Sequence, residues 1–598
     1  MNAKEPFYQV IVGLEVHAQL HTPTKLFSQA PSLSYTTKSS SATNLSPPNS
    51  QLDLFDIAMP GSLPTISPHA VQAAVLAAAS LQCHIATTSR FERKHYAYAD
   101  LPSSYQITQQ RWPLATDGRV TCDLEQQRRL LPGTNKKKTK KRQTSSSSSS
   151  SSITCRIERI QLEQDTGKTL TRTITRESSN NNGQAPMLST ITESLVDLNR
   201  AGCALIEIVT SPDLRSSSQA TAIVSSLRQL LKHIAVCQGK MQDGQLRVDC
   251  NINLEQLPQD NDPSTSNNDD DNMNNEPRPR SARVEVKNLN SIQQVAAATN
   301  YEALRQAHEW YTNGQVGIPE TRTWDVVRRK TVLIRRKDGQ DDYRFLPEPD
   351  LPPLVLEKDV LQGLSLDEFL DQHLVELPSQ AIERLQDMYG LTLYQAQVIA
   401  RDPPAIAYFD SLMESSVESS SNDTTTAFAK VAANLLCNEL VSLVKEQYQS
   451  QLNEEIEEEE EPSMAHSKVS PRQLRIVTEL VMEESISTTM AKKLLSLLYR
   501  DDDDDDNDHS VDVDPRILAQ EHNMRLISNP LELQSLCQQV LDEHPDELEI
   551  YQQGGRFVTK MKKLFTGKAM SASRGNAHPQ RLQEVLDEVL RERFPNVK

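Results

Sequence analysis

Glu15 and His17 stand two apart in the run QVIVGLEVHAQL (9–20), where Glu15, His17 and Gln19 alternate with Leu14, Val16, Ala18 and Leu20. In an extended strand successive side chains take opposite faces, so the carboxylate and the imidazole point the same way. RVDCNIN (247–253) repeats the pattern, with Arg247, Asp249, Asn251 and Asn253 on one face and Val248, Cys250 and Ile252 behind. RVEVK (283–287) does so again with Arg283, Glu285 and Lys287. An ordinary half-solvated sheet also alternates. Two details point further. Glu207 sits inside the apolar run LIEIV (205–209), where a carboxylate is costly unless paired or metal-bound. The polar set also mixes acid, amide, imidazole and guanidinium, unlike the Lys, Glu and Thr of a solvated face. A concave sheet carrying such groups could hold Mg²⁺ with several waters and the phosphates of a nucleotide.

Other chemistries are excluded. Gly167-Lys168-Thr169 ends like a phosphate-binding loop, but the position that needs the earlier glycine is Leu162. There is no G-x-S-x-G, no H-E-x-x-H and no Ser-Ser-Lys constellation of an amidase.

The elements that position these residues follow from length and patterning. A chain of 598 residues exceeds one core and divides into about two to four domains. The first half reads as strands with helices near 68–83, 219–234 and 297–308. The second half reads as helical, with proline-led starts at Pro378 and Pro579. The fold class expected is α+β, a mixed or antiparallel sheet first and helical modules after it. No apolar run approaches the roughly 20 residues that span a bilayer, so no membrane association is expected. Eight scattered cysteines without a CxxC pair argue against structural zinc or a disulfide framework.

The net charge of −18 is unevenly spread. The Glu run 454–461 and the Asp run 501–514 hold sixteen acids, and without them the net charge is −2. Residues 551–598 carry ten Lys and Arg against four Asp and Glu, which suits a polyanion. Low-complexity stretches at 135–152, 177–187, 256–280, 415–426, 452–468 and 501–514 cannot bury enough apolar surface to order themselves and read as disordered loop insertions.

Between the insertions, long segments resemble the B-subunit family of the bacterial and organellar glutamyl/aspartyl-tRNA amidotransferases. They are VIVGLEVHAQLHTPTKLFS (10–28), AMPGSLPTIS (58–67), FERKHYAYADLPSSYQIT (91–108), QLEQDTGK (161–168), LVDLNRAGCALIEIVTSPDLRS (195–216), DGQLRVDCNINL (243–254), VEVKNLNS (284–291), ETRTWD (320–325) and YRFLPEPDLPPL (343–354). GGRFVTKMKKLFTGKAMSASRGNAHPQRLQEVL (554–586) resembles the tail that this family shares with the small YqeY proteins. The resemblance implies a catalytic cradle over 1–356, a helical connector over 357–408 and a helical, YqeY-like tRNA-binding tail over 409–598.

It also implies a chemistry. ATP phosphorylates the γ-carboxylate of glutamate esterified to tRNA(Gln), and ammonia from a separate amidase subunit displaces the phosphate. A small third subunit completes the heterotrimer the family implies. Carried over residue by residue, Glu15, His17, Glu163 and Glu207 are the expected Mg²⁺ ligands. Arg247, Asp249, Asn251, Glu285 and Lys287 are candidate nucleotide or phosphate contacts on the same face. Lys94, Tyr96 and Tyr98 are assigned to substrate approach, and Lys560, Lys562, Lys563, Lys568 and Arg574 to tRNA. Many members have His and Glu where this chain has Gln161 and Gln164, a departure that lends weight to an alternative reading as a catalytically decayed tRNA-binding scaffold. Many bacterial members also carry a zinc knuckle of CxxC pairs, whereas residues 29–57 contain no cysteine, so zinc is not expected. No transit segment is visible before the first strand. Eukaryotic-style insertions in a bacterial-type enzyme point to the mitochondrion, with the plastid as the other organelle.

Overall fold

The computed structural model describes residues 8–33, 46–124, 152–178, 187–257, 278–314, 317–337, 344–414, 422–451, 462–499, 513–552, 554–573 and 575–595. Most of each low-complexity stretch lies outside the described residues, as does Arg574. At the end of one stretch, residues 422–426 open the helix Asn422–Leu435. The chain forms two compact units, Met1–Leu377 and Pro378–Lys598.

The first unit is built on strands. β1 is Tyr8–Gln19, followed by the short β2 (His84–Ile85), β3 (Thr88–Ser89), β4 (Glu92–His95) and β5 (Tyr105–Thr108). The longer β6 (Ala115–Asp123) and β7 (Ser152–Gln164) precede a hairpin of β8 (Lys168–Ser178) and β9 (Met187–Asp197). β10 (Ala204–Thr210), β11 (Leu246–Gln256), β12 (Val284–Leu289) and β13 (Glu320–Asp325) come next. β14 (Lys330–Arg336), β15 (Arg344–Pro347) and β16 (Leu354–Val355) close the set. Nine strands make one sheet in the order β14-β13-β12-β11-β1-β10-β7-β6-β2. Its pairings are antiparallel except for β12 with β13, so the sheet is mixed and the class is α+β, as the patterning predicts.

Local signals set the helices. α1 (Pro68–Ser80) starts on proline, whose missing N–H is no loss in a first turn. α2 (Ser217–His233) is capped by Ser216, whose hydroxyl accepts from the Gln219 N–H. α3 (Ile292–Asn313) is capped in the same way by Ser291 and ends at Gly314, with φ of 63°.

The aliphatic side of β1 makes the core. Val12, Leu14, Val16 and Ala18 are at most 1% exposed and share one cluster with Ala220, Ile223, Val224, Leu227 and Leu231 of α2. Each such valine, leucine or isoleucine contributes roughly 1.5–3 kcal/mol by burial. That packing fixes which way β1 faces and turns Glu15 and His17 to the other side. There the three-stranded sheet β15-β4-β5 stands against it, with Gln106 and Thr108 of β5 reaching Glu163 of β7. Every residue of β10 is buried, which explains why its sequence reads as a continuous apolar run broken only by Glu207.

The second unit is helical and has two apolar cores. One gathers residues from Ala381 to Ala519, the other from Leu533 to Leu590. Asp423–Tyr448 is apolar and long enough, at 26 residues, to cross a membrane by composition alone. Half of its most apolar 18 residues are buried, and Ala429, Ala432, Ala433, Leu436 and Leu440 lie in the first of these cores, as in the central helix of a globular domain. The starts expected at Pro378 and Pro579 are the first residues of helices Pro378–Tyr389 and Pro579–Arg593.

Candidate active site on the polar face of the sheet

Rows of side chains cross the polar face. Gln161, Glu207, His17 and Arg247 lie side by side on β7, β10, β1 and β11. In the next row Glu15 lies between Val209 and Asp249. Gly13, Asn251, Glu285 and Thr321 form the third, on β1, β11, β12 and β13.

The register brings ligand-type atoms together. Glu15, His17 and Glu207 each place one such atom within 4.8 Å of the other two. Glu15, Asp249 and Glu285 meet the same limit, so Glu15 belongs to both groups. Carboxylates with one imidazole are a donor set that a hard divalent cation accepts alongside water.

Glu163 stands outside both groups among the described residues. Gln106 Nε2 donates to its Oε1, and Thr108 Oγ1 donates to its Oε2 at 2.9 Å. Burial pushes the Glu163 carboxyl up, but Lys94, His17 and the Thr108 hydroxyl outweigh it and hold the group below its ordinary value. Glu207 goes the other way. Burial, and then the charge of Glu163, push its carboxyl up to about 7. Gln161 Nε2 donates to Glu207 Oε2 at 2.5 Å and to Thr108 Oγ1 at 3.1 Å.

The second set of expected residues also faces this side. Asn251 Nδ2 donates to Glu15 Oε1 at 2.8 Å. His17 Nε2 lies 4.0 Å from Asp249 Oδ2, and Lys287 Nζ is 3.4 Å from the same oxygen. Lys287 and Lys337 each come within 2.8 Å of Glu285. Burial pushes the Glu285 carboxyl up, and these two ammonium groups override it and hold it at about 2. The shift of register beside Val248 and Cys250 lets Asn288, at φ of 61°, donate its N–H to Asp249 Oδ1 at 2.8 Å. Arg247 Nη2 reaches Asp165 Oδ1 at 2.9 Å.

At the edge of the face, Lys94 pairs with Gln106 in the β4–β5 register, and the Tyr96 hydroxyl donates to Gln106 Oε1 at 2.9 Å. Tyr98 is exposed and packs edge-on against Tyr96 with centroids 5.5 Å apart. Lys560, Lys562, Lys563 and Lys568 lie in the second unit on the helix Arg556–Ala572. Lys560 and Lys563 are exposed there, whereas Lys562 pairs with Asp587 at 2.9 Å and Lys568 with Glu547 at 2.6 Å.

Gln106, Thr108, Asp165 and Lys337 were not among the residues expected from the sequence. The signal for two of them was present, because YQIT (105–108) alternates and puts Gln106 and Thr108 on one face.

Residues 10–362 match the family described as the GatB/GatE catalytic domain, and residues 412–590 match the GatB domain of the GatB_Yqey type. The B subunit of the mitochondrial glutamyl-tRNA(Gln) amidotransferase of Phytophthora infestans is 32% identical over 98% of this chain and 95% of its own length. The B subunit of the aspartyl/glutamyl-tRNA(Asn/Gln) amidotransferase of Azorhizobium caulinodans is 32% identical over 97% of this chain and 95% of its own. The mitochondrial glutamyl-tRNA(Gln) amidotransferase B subunit of Homo sapiens is 30% identical, covering 98% and 88%. With its catalytic-domain match spanning the whole polar face and its helical tail matching separately, this chain belongs to the GatB/GatE family.

Proposed function

We propose that this chain is the subunit that activates and amidates glutamate on mischarged Glu-tRNA(Gln), using ATP and ammonia from a partner amidase subunit. The observation that supports this reading most is the meeting of Glu15, His17 and Glu207 on one strand face, within the part that matches the catalytic-domain family. A carboxylate oxygen is a poor leaving group. Its attack on the γ-phosphorus of ATP forms an acyl phosphate and ADP, and ammonia then displaces inorganic phosphate to leave the amide. Glu15, His17 and Glu207 would hold Mg²⁺, with Glu163 beside them. The ion supplies charge neutralisation for the transferring phosphoryl group. Arg247, Asn251 and Lys287 offer donors to phosphate oxygens, while Asp249 and Glu285 keep Lys287 charged by proximity. Lys94, Tyr96 and Tyr98 would receive the acylated end of the tRNA.

The same reading gives the chain its partners and place. It works in a heterotrimer with an amidase subunit and a small third subunit. Its basic tail residues Lys560, Lys562, Lys563 and Lys568, with Arg574, grip tRNA, and it acts in mitochondrial translation. Relatives from Phytophthora infestans and Homo sapiens carry mitochondrial names, which supports that location. Neither zinc nor a membrane has a part in it.

The test is amidation of Glu-tRNA(Gln) by the chain purified with its partners. ATP-dependent glutaminyl product is expected, lost in Glu15→Gln and His17→Ala while tRNA binding survives. Absence of product with every combination of partners overturns the reading.

A further inference from the structure

Gln19 lies on the polar face in the same row as Glu163, with Leu205 between them. It follows His17 by two residues on β1, roughly 7 Å along the strand. The residue is 5% exposed, and its Nε2 is buried with no hydrogen-bond partner among the described residues. Its backbone N–H is satisfied by the Gln245 carbonyl at 2.7 Å, so the side chain is not needed to hold the strand end. Of the polar groups nearby, Glu163 is paired with Gln106 and Thr108, Glu207 with Gln161, and Arg247 with Asp165 Oδ1, while Asp165 Oδ2 is buried without a hydrogen-bond partner among the described residues. A buried donor left unmatched destabilises the fold. Methionine or leucine would fill this position without that penalty.

We propose that Gln19 is a substrate-contacting residue whose carboxamide N–H donates to a carbonyl or carboxylate oxygen of the acyl group on this face. On the function proposed above, upon which this assignment rests, that oxygen is the γ-oxygen of the esterified glutamate. The donor suits each stage of the reaction. Carboxylate, acyl phosphate and amide all keep one such oxygen, so Gln19 orients the acyl group while the other substituent changes. Being neutral, it adds no charge beside the carboxylates. A substrate without that oxygen leaves the donor unmatched, which turns the same group into a selector for the side chain carried by the tRNA.

The experiment compares the parent chain with Gln19→Met, each purified as the complex with its partner subunits. Three quantities are read: kcat/KM for Glu-tRNA(Gln), the Mg²⁺ concentration that half-saturates the rate, and the melting temperature. The variant is expected to melt at or above the parent and to keep the same Mg²⁺ requirement. Its kcat/KM is expected to fall by about tenfold or more, in KM and kcat together. Gln19→Asn, which keeps the amide on a shorter stem, is expected to recover part of that loss. An active parent with an equally active variant overturns the assignment alone, as does a loss accompanied by a lower melting temperature and a raised Mg²⁺ requirement. A parent complex that makes no amidated tRNA overturns the underlying function and this assignment with it.

Discussion

The Gln161 carboxamide faces the Glu207 carboxylate across β7 and β10, and its Nε2 donates to Glu207 Oε2 at 2.5 Å. Arg159 Nε donates to Gln161 Oε1 at 3.0 Å, which fixes the amide with its nitrogen toward Glu207 and Thr108. Gln161 therefore orients a proposed ligand without belonging to the ligand groups itself. Gln161→Met keeps the length and removes both donor bonds. It is expected to raise the Mg²⁺ concentration that half-saturates ATP hydrolysis by about 10–100-fold, measured by titration in the complete complex. An unchanged Mg²⁺ requirement would show that Glu207 is held by packing alone.

Glu207 should make stability depend on pH when no metal is present. Its folded-state value is raised from 4.5 to about 7, so ionising it is harder in the folded protein than in the unfolded chain. The stability it contributes is therefore present in full below pH 4.5 and is lost as pH rises through about 7. Glu207→Gln keeps the shape and never ionises. In EDTA the variant is expected to melt above the parent at pH 8, with the gap closing toward pH 4.5. A gap that widens on acidification would contradict the sign.

Lys25 has no exposed surface, and its Nζ lies 3.0 Å from Asp56 Oδ2, while Ser28 Oγ donates to Asp56 Oδ1. Asp56→Asn would strand an ammonium group in the interior. It is expected to destabilise the chain by about 3–5 kcal/mol in urea unfolding. Adding Lys25→Met is expected to restore part of that loss, because the buried charge then has no need of a partner.

The lysines of the tail helix should divide by their pairing. Lys560 and Lys563 are exposed, and Lys560→Ala with Lys563→Ala is expected to weaken tRNA binding at low salt. The slope of log K against log salt should fall by about one per lysine that meets a phosphate. Lys562 and Lys568 are bound to Asp587 and Glu547, so their loss is expected to lower the bundle's melting temperature more than its salt slope. Filter binding across a salt series separates the two cases. Equal slopes in all variants would move the tRNA contact elsewhere.

Much of the fold was legible because its signals are local. Residues alternating along 9–20 fixed a strand and its two faces, and Pro68 marked the start of α1, whereas α2 and α3 begin at Ser217 and Ile292, ahead of the 219 and 297 expected. Glu207 stood out because a carboxylate in an apolar run needs a partner wherever the strand lies. What the sequence could not determine was which strands are neighbours. Period-2 patterning decides a face but not a register. Only the placement of β1 between β10 and β11 brings Glu207 and Asp249 to Glu15 and His17 from distant parts of the chain. The same tertiary pairing puts β5 against β7, where Gln106 and Thr108 donate to the two oxygens of Glu163, which stands outside the two ligand groups among the described residues. Local sequence set the chemistry available on each strand, and long-range packing set which groups meet, since contact across a sheet depends on strand order that no single segment encodes.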